Sequence, residues 1–230
     1  MKNLKHVFFD LDHTLWDFEK NSSEALLELY HELRLSEDIA DVQKFIQTYQ
    51  EINARYWHLY NHGKVSKEQV RTGRFLDTLN TFKVRNSDNK AIELGNEYVL
   101  RSPQKKHIFP FAHEALTYLN EKYALHIITN GFLEVQHTKL NNCNLSEYFD
   151  LILCTEEVGV NKPHPLVFET ALQKTAAFAE ESVMIGDNPE TDIKGAKNCG
   201  FHTILFNPEN REHDLDTAEI KALNELLHLL

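Results

Sequence analysis

The chain is 230 residues long, enough for one or two domains with a sizeable core. Hydrophobic residues make up 42% of it and charged residues 26%, which excludes a wholly disordered chain. The formal net charge of −11 argues against a nucleic-acid polymer or an anionic membrane as a partner. A small anionic substrate stays compatible, because a bound metal or a helix N-terminus can reverse the charge within one cleft.

The first predicted element is a short buried strand over residues 7–9, which ends at Asp10. Residues 18–100 then follow a helical pattern, for which we predict about four helices and no strand. Capping boxes are predicted for two residue pairs, Asn21 with Glu24 and Ser66 with Gln69. This part of the chain is therefore predicted to be a helical insert that follows the first strand.

Beyond residue 101 the pattern changes to strands that alternate with helices. Short apolar runs predict strands over residues 125–129, 151–154, 183–185 and 203–206. Helices are predicted over residues 111–123, 132–141, 165–174, 192–199 and 220–230. Such alternation favours a parallel sheet with right-handed crossovers. The predicted fold class is therefore α/β, a parallel sheet core with an inserted α-helical domain.

The three cysteines, Cys143, Cys154 and Cys199, are widely spaced and include no CxxC pair. This spacing suggests neither a disulfide framework nor a zinc site, so we expect free thiols in a reducing cytosol. The residues before Asp10 do not form a signal-peptide core, and no apolar run approaches the ~18 residues of a membrane span. We therefore expect a cytoplasmic protein without a membrane partner.

Four polar segments come where predicted apolar runs end. They are Asp10-Leu11-Asp12-His13-Thr14-Leu15, Thr129-Asn130-Gly131, Asn161-Lys162-Pro163 and the run from Gly186 to Asp192. A Thr-Asn-Gly segment alone is a common turn. Because the carboxyl ends of parallel strands share one edge of a sheet, the four segments together predict a single site at that edge.

These residue types suit phosphoryl transfer, which needs a nucleophile, a cation and a proton donor. Asp10 is the candidate nucleophile, able to form an aspartyl-phosphate, and Asp12 is the candidate acid and base. Asp10 and Asp187 would bring two carboxylates together. Since like charges repel, we predict a hard divalent cation between them, and oxygen ligands favour Mg²⁺.

Three further residues complete the predicted site. Thr129 can bind a phosphoryl oxygen with help from the amides of Asn130 and Gly131 at a helix start. Lys162 supplies positive charge for the transition state. Asp192 would hold the metal ligands or Lys162 in place.

With these four motifs, the chain resembles the haloacid dehalogenase-like (HAD) phosphohydrolases over essentially its whole length. The resemblance implies a Rossmann-like core domain of residues 1–17 and 101–230. It also implies an α-helical cap domain of the first type over residues 18–100, able to act as a lid.

The resemblance also assigns roles residue by residue. It implies that Asp10 is the nucleophile and Asp12 the acid and base. Mg²⁺ would be bound by three residues: Asp10, Asp187 and, through its backbone carbonyl, Asp12. Phosphate would be bound by three residues: Thr129, Asn130 and Lys162. Asp192 matches the last acid of the fourth motif, which has a supporting role.

Two positions of the first motif are informative. His13 stands where the family often has glycine, and its imidazole either reaches phosphate or metal-bound water or is exposed at the turn. Dehalogenases that resemble this family lack an acid at the position of Asp12. Its presence favours phosphate chemistry over carbon–halogen cleavage.

The first motif, the stretch over residues 71–75 and the length of the insert resemble the pyrimidine 5′-nucleotidase group, which implies nucleoside 5′-monophosphates as substrates. Some aromatic side chains either stack on a substrate base or pack in the core of the insert. These are Trp16, Tyr56, Trp57 and Tyr60. Arg71 and Arg74 lie one helical turn apart. They either reach the substrate or lie on a solvated or salt-bridged face. His58 and His62 are interpreted as surface or cap residues.

The sequence therefore predicts a Mg²⁺-dependent phosphatase for small phosphomonoesters, acting as a monomer or homodimer without a nucleic-acid polymer. Three alternatives stay open. One is another small-metabolite phosphatase, for phosphoglycolate or an acylneuraminate phosphate. The second is a sugar-phosphate mutase, and the third is a regulatory binding module that has kept the fold.

Overall fold

A computed structural model of the protein describes residues 3–230. The chain forms two compact units. One runs up to Asp17 and resumes over His107–Leu230, and the other comprises Phe18–Lys106. We refer to them as the sheet unit and the helical unit.

The sheet unit is built around six parallel strands. They are β1 His6–Phe9, β2 Ala124–Thr129, β3 Leu151–Cys154, β4 Ser182–Gly186, β5 His202–Phe206 and β6 Ala218–Ile220. Their spatial order is β3-β2-β1-β4-β5-β6. The predicted α/β class is thus confirmed. Because β1 lies between β2 and β4, the residues that follow these three strands come together at one edge of the sheet.

The helical unit, whose residues are all described, contains four α-helices as predicted. They are α1 Phe18–Glu32, α2 Val42–Asn61, α3 Arg74–Thr81 and α4 Ser87–Arg101. Their apolar faces share one core, which includes Leu26, Phe45 and Leu79. Asp41 caps α2, since its carboxylate accepts hydrogen bonds from the backbone amides of Gln43 and Lys44.

One of the two predicted capping boxes is confirmed. The Ser66 hydroxyl accepts from the amide of Gln69 at 3.2 Å, and the Gln69 side chain accepts from the amide of Ser66 at 2.8 Å. The prediction for Asn21 is wrong. Asn21 is buried inside α1, because that helix already begins at Phe18.

Residues 101–106 lie in the helical unit, although the sequence placed them in the core domain. Arg101 ends α4 and its Nη1 is 2.5 Å from Glu32 Oε2 of α1. Lys105 forms ion pairs with Glu24 and Glu28, also on α1. These contacts, which the local sequence pattern does not reveal, tie the segment to the helices.

Five α-helices complete the described part of the sheet unit. They are α5 Ala112–Asn120, α6 Leu133–Asn142, α7 Pro165–Thr175, α8 Gly195–Asn198 and α9 Leu226–Leu229. The three cysteines are free, as expected. None of the helices in residues 3–230 combines the length and the apolar character that crossing a membrane would take.

Two predicted helices of the sheet unit differ in the structure. Over residues 192–199 the helical segment starts earlier, as a π-helical turn at Pro189–Lys194, because the Asn188 side chain caps it. Over residues 220–230 the helical segment starts later than predicted, with a 3₁₀ turn at Leu223–Glu225 that leads into α9. Ile220 ends β6, where its carbonyl accepts from the amide of Asn207. The Glu225 carboxylate accepts from the amides of Lys221 and Ala222, which come just before this turn.

Candidate active site

The carboxyl edge of the sheet brings all four predicted motifs together. Asp10 directly follows β1, Thr129 ends β2 and Asp187 directly follows β4. Phe9 pairs with Ile185 in the sheet, so the acids that follow each strand face the same edge. The register of buried parallel strands therefore positions residues that are far apart in the chain.

Lys162 reaches this edge from the loop between β3 and α7, and its side chain is 1% exposed. Its Nζ donates to Asp10 Oδ1, Asp192 Oδ1 and the Ile128 carbonyl, each at 2.7 Å. Burial alone would lower the pKa of Lys162, but the two carboxylates raise it. The lysine is therefore a charged group with all three of its donors used.

The second and third motifs are joined through Asn130. Its Oδ1 accepts from the Lys162 amide at 2.8 Å, and its Nδ2 donates to the Lys162 carbonyl at 3.0 Å. The sequence assigned phosphate binding to Asn130. In the structure its side chain holds the Lys162 backbone, so it positions the lysine that contacts Asp10.

Three carboxylates, those of Asp10, Asp187 and Asp192, offer oxygen atoms that lie within 4.8 Å of one another. Burial raises the pKa of Asp10 well above its ordinary range, and Asp192 and Asp187 add to this against the opposing effect of Lys162. Burial, followed by the charge of Asp192, raises the pKa of Asp187 to about 7. Ionising these carboxylates together is therefore unfavourable unless a further cation compensates their charge.

A hard divalent cation fits this donor set. Mg²⁺ prefers carboxylate and carbonyl oxygens, and a cation next to buried carboxylates stabilises their ionised form. Asp10 and Asp187 are the carboxylates suited to hold it. Asp192 is already engaged, since its Oδ1 accepts from Lys162 and its Oδ2 accepts from the amide of Asn188 at 3.1 Å. It supports the lysine, one of the two roles predicted for it.

Asp12 is held by two residues that sequence reasoning missed. Its Oδ1 is 2.6 Å from Lys139 Nζ, and its Oδ2 is 2.9 Å from Gln136 Nε2. Although burial would raise it, the Lys139 charge and the hydrogen bonds from Lys139 and Gln136 lower the pKa of Asp12. A signal existed in the sequence, because the two residues are three apart on the helix that follows the second motif.

The hydrogen bonds that the Thr129 hydroxyl accepts leave its hydrogen available to donate. Its Oγ1 accepts from the Gly131 amide at 3.0 Å and from Gln136 Nε2 at 3.3 Å. Since a hydroxyl oxygen has two lone pairs, its hydrogen is the part left for a further acceptor. This geometry suits a phosphoryl oxygen.

Two more residues near the fourth motif were missed. The Thr14 hydroxyl accepts from the amide of Asp187 at 3.1 Å and so links the first motif to the fourth. Arg211 Nη2 is 3.9 Å from Asp187 Oδ2. Arg211 lies in an irregular segment without a sequence pattern that could indicate its position.

His13 of the first motif and Trp16, which comes just after it, both have clear positions. His13 is half-buried with φ of 67°, a left-handed conformation that explains why glycine suits this position. Trp16 is fully buried, and Lys139 Nζ lies 4.3 Å from the centre of its ring. The indole therefore packs beneath the lysine, which excludes stacking of Trp16 on a substrate base in this conformation.

The other substrate candidates lie in the helical unit. Arg74 is 3% exposed and its Nη1 donates to Asn53 Oδ1 at 2.7 Å. Its guanidinium also lies 4.9 Å from the centre of the Tyr98 ring. Arg74 is thus buried rather than on a solvated face, and the side chains around it are polar or aromatic. Arg71 is half-buried in the π-helical turn Gln69–Gly73.

The aromatic and histidine candidates lie on α2 or directly after it and contact side chains of the helical unit. Tyr56 donates to Asp77 Oδ2 at 3.2 Å, and the rings of Trp57 and Tyr60 meet edge to face with centres 5.6 Å apart. His58 and His62 are exposed, as predicted, with ring centres 4.4 Å apart.

This architecture is that of an α/β enzyme with its site at the carboxyl edge of a parallel sheet. A family model described as haloacid dehalogenase-like hydrolase matches residues 7–206, and the chain belongs to that family. The resemblance on which the sequence prediction relied is therefore confirmed.

Three similar proteins agree with this placement. Pyrimidine 5′-nucleotidase PynA of Streptococcus pneumoniae is 32% identical over 98% of this chain and 94% of its own length. Pyrimidine 5′-nucleotidase YjjG of Escherichia coli is 30% identical over 97% of this chain and 96% of its own. The magnesium-bound structure of the HAD-hydrolase YfnB from Bacillus subtilis matches with a TM-score of 0.91, at 26% identity and 99% coverage of both chains.

Proposed function

We propose that the protein is a Mg²⁺-dependent phosphatase of the cytoplasm that hydrolyses small phosphomonoesters, with pyrimidine nucleoside 5′-monophosphates as its preferred substrates. The observation that carries the proposal is the fixed contact of Lys162 Nζ with Asp10 Oδ1 at 2.7 Å, in a buried site with a second carboxylate, Asp12, two residues on. The relatives named as pyrimidine 5′-nucleotidases support the substrate class.

In the first step, the Asp10 carboxylate attacks phosphorus. A bond forms between an Asp10 oxygen and phosphorus, and the bond from phosphorus to the ester oxygen breaks. Lys162 holds Oδ1 of Asp10, which orients the other oxygen for attack. Asp12 gives a proton to the leaving oxygen, so that the product is a neutral alcohol.

In the second step, water attacks the phosphorus of the aspartyl-phosphate. Asp12, now a carboxylate, accepts a proton from this water, and Asp10 is released together with inorganic phosphate. The proton taken from water returns Asp12 to its acid form for the next turnover. A bound phosphate dianion favours that form, because negative charge nearby raises the pKa of a carboxyl group.

Mg²⁺ would be held by the carboxylates of Asp10 and Asp187 and by the backbone carbonyl of Asp12, and when bound it would neutralise charge on the phosphate. The Thr129 hydroxyl and the Asn130 amide would bind phosphoryl oxygens, whereas the Gly131 amide, also expected to do so, already donates to Thr129 Oγ1. Lys162 would stabilise the charge of the transition state while Asp192 and the Asn130 side chain keep it in place.

The nucleophile is tested by Asp10→Asn, which keeps the size of the side chain and removes its charge. We expect the release of inorganic phosphate from uridine 5′-monophosphate with Mg²⁺ to fall by about 10³-fold or more, as for other deleted nucleophiles. Asp150→Asn, at an exposed carboxylate, is the matched control. Near-normal release by Asp10→Asn in folded protein would rule out the proposed mechanism.

The substrate class is tested separately, on the wild-type protein. Phosphate release is measured from pyrimidine and purine nucleoside 5′-monophosphates and from sugar phosphates, each with Mg²⁺ and with EDTA. We expect metal-dependent release, highest for the pyrimidine nucleotides. Release chiefly from sugar phosphates would keep the mechanism and discard the nucleotide specificity.

A further inference from the structure

We propose that Gln136 and Lys139 of α6 are positioning residues, which hold the carboxylate of Asp12 in the orientation needed to give its proton to the leaving group. We call these two side chains the α6 clamp. The inference rests on the proposed function, in which Asp12 is the acid and base, and it assigns a task to two residues outside the four motifs.

The α6 clamp binds both oxygens of one carboxylate. Lys139 Nζ is 2.6 Å from Asp12 Oδ1, and Gln136 Nε2 is 2.9 Å from Asp12 Oδ2. A carboxylate held at one oxygen can still rotate, whereas one held at both has a fixed plane. Because α6 presents the two residues three positions apart, a single rigid helix face sets this plane.

The burial of the clamp argues against a purely structural role. Gln136 is fully buried and Lys139 is 5% exposed. Gln136 Oε1 is buried and has no hydrogen-bond partner among residues 3–230. A buried acceptor without a partner destabilises the fold, and so does a buried ammonium. An apolar side chain would pack this face of α6 without these penalties, so the polar groups are explained by what they do for Asp12.

Gly131 makes room for the clamp. A Cβ atom at this position would lie 1.3 Å from Gln136 Nε2 and 3.1 Å from Asp12 Oδ2. The glycine of the second motif therefore leaves the space through which the amide reaches Asp12. The same Nε2 lies 3.3 Å from Thr129 Oγ1, so Gln136 links Asp12 to the predicted phosphate ligand.

Trp16 supports the ammonium of the clamp. The indole is fully buried, and the ring centre lies 4.3 Å from Lys139 Nζ. An aromatic face attracts a cation at this distance and holds it without supplying a competing negative charge. Lys139 thus remains directed at Asp12.

A positioned acid matters for some leaving groups and not for others. An alkoxide, such as that of a nucleoside, leaves only when it is protonated. A nitrophenolate leaves without a proton, because its charge is delocalised. If the clamp acts through the acid function of Asp12, its loss must slow the first step for a nucleotide and spare it for p-nitrophenyl phosphate.

The experiment uses Gln136→Leu and Lys139→Met in the full chain. With uridine 5′-monophosphate, we expect kcat to fall by about 10²–10³-fold, the usual contribution of a general acid. KM should change only by about a few-fold, because the phosphate ligands are intact. With p-nitrophenyl phosphate, the first-turnover burst of nitrophenolate should stay within about threefold of the wild type, since that bond breaks without the acid.

Four further variants control the experiment. Glu134→Gln on the exposed face of α6 and Lys174→Met on α7 should leave both substrates unaffected. Lys139→Arg keeps the charge and should recover most of the activity lost in Lys139→Met. Gly131→Ala should reproduce the selective loss with the clamp residues unchanged, and it serves as the second test if Gln136→Leu does not fold.

Equal losses for the two substrates, or no loss for either, would overturn the clamp while the wild-type enzyme stays active. A wild type that releases no phosphate from any substrate would overturn the proposed function and this inference together. The wild-type assay alone therefore distinguishes failure of the clamp from failure of the proposed function.

Discussion

The two ends of the same parallel sheet accommodate buried polar side chains in opposite ways. At the carboxyl end, the ammonium of Lys162 lies between the carboxylates of Asp10 and Asp192, with both contacts at 2.7 Å. At the amino end, the rings of His6 and His126 meet with Nδ1 and Nε2 3.0 Å apart. One end keeps charges and pairs them, and the other keeps the polar groups neutral.

The histidine pair is neutral because nothing compensates a charge on its buried member. Burial, together with the neighbouring His6, lowers the pKa of His126 to about 4. Burial also lowers the pKa of His6, although Glu181 and Asp150 oppose the effect and Lys5 adds to it. His126 is 2% exposed, and its Nδ1 has no hydrogen-bond partner within the described chain.

The contrast shows where this sheet accepts the cost of a buried charge. Removing a charge from water is unfavourable unless an opposite charge and hydrogen bonds replace the water. The carboxyl edge meets these conditions with residues drawn from four motifs, and that edge is the proposed catalytic site. The amino edge, which has no proposed chemistry, avoids the charge.

Among the changes that test this contrast between the two ends, the largest effect is expected when the paired cation is removed. Lys162→Met leaves Asp10 and Asp192 facing each other, so phosphate release should fall by about 10²–10³-fold. Breaking a buried ion pair by removing one partner costs about 3–5 kcal/mol, and we expect a loss of this size in urea unfolding at pH 7. Lys194→Met, at an exposed lysine, is the control.

A double variant sharpens this prediction. Lys162→Met combined with Asp192→Asn removes the cation and one of its two carboxylates. We expect this double variant to unfold at a higher urea concentration than Lys162→Met alone, because less unpaired charge stays buried. A double variant that is less stable than the single one would contradict the charge-pairing explanation.

Because His126 at the amino end is a neutral buried base, the free energy of unfolding should fall as the pH is lowered. His126 has a pKa of about 4 in the folded protein and 6.5 as its ordinary value, so the unfolded chain binds more protons between these limits. The contribution of neutral His126 to the free energy of unfolding is fully present above pH 6.5 and is lost as the pH falls towards 4. The loss should approach about 3 kcal/mol, at 1.36 kcal/mol per pKa unit.

The measurement compares urea unfolding of the wild type and His126→Phe from pH 7.5 to pH 4.5. Carboxylates titrate in both proteins, so the difference between their pH slopes isolates the histidine. We expect a shallower loss of stability on acidification for His126→Phe. His228→Phe, at an exposed histidine, should keep the wild-type slope. Identical slopes for the wild type and His126→Phe would mean that the amino end is not held neutral by burial.

The smallest of these effects is expected for Asp192→Asn alone. The substitution keeps the shape beneath Gly186, where a Cβ would lie 2.3 Å from Asp192 Oδ2, and removes one negative charge from Lys162. Lys162 keeps its contact with Asp10, so phosphate release should fall by about tenfold, equivalent to 1.4 kcal/mol. Asp214→Asn is the exposed control. Unchanged kcat in Asp192→Asn would show that Asp10 alone positions the lysine.

Much of the fold and of the site was predicted correctly from local sequence patterns. The strand before Asp10 was recognised because a strand buried on both faces must be apolar along its length. The four helices of the helical unit were recognised because their apolar residues recur at helical spacing. The four motifs were recognised because each joins specific residue types within a few positions. The weak points were segment ends, such as β6, whose three residues carry too little pattern to be told from a helix start.

The sequence by itself determined the family, the α/β class and the residues of the four motifs, since these depend on short-range order along the chain. Only the tertiary structure decided which side chains hold them. Gln136 and Lys139 are 124 and 127 residues from Asp12, and the Asn130 side chain binds a backbone 32 residues away. Such contacts arise from the register of the parallel strands and the packing of α6 against the sheet edge. The spacing of Gln136 and Lys139 places both on one face of α6, but the carboxylate that this face meets is decided by burial of the whole sheet.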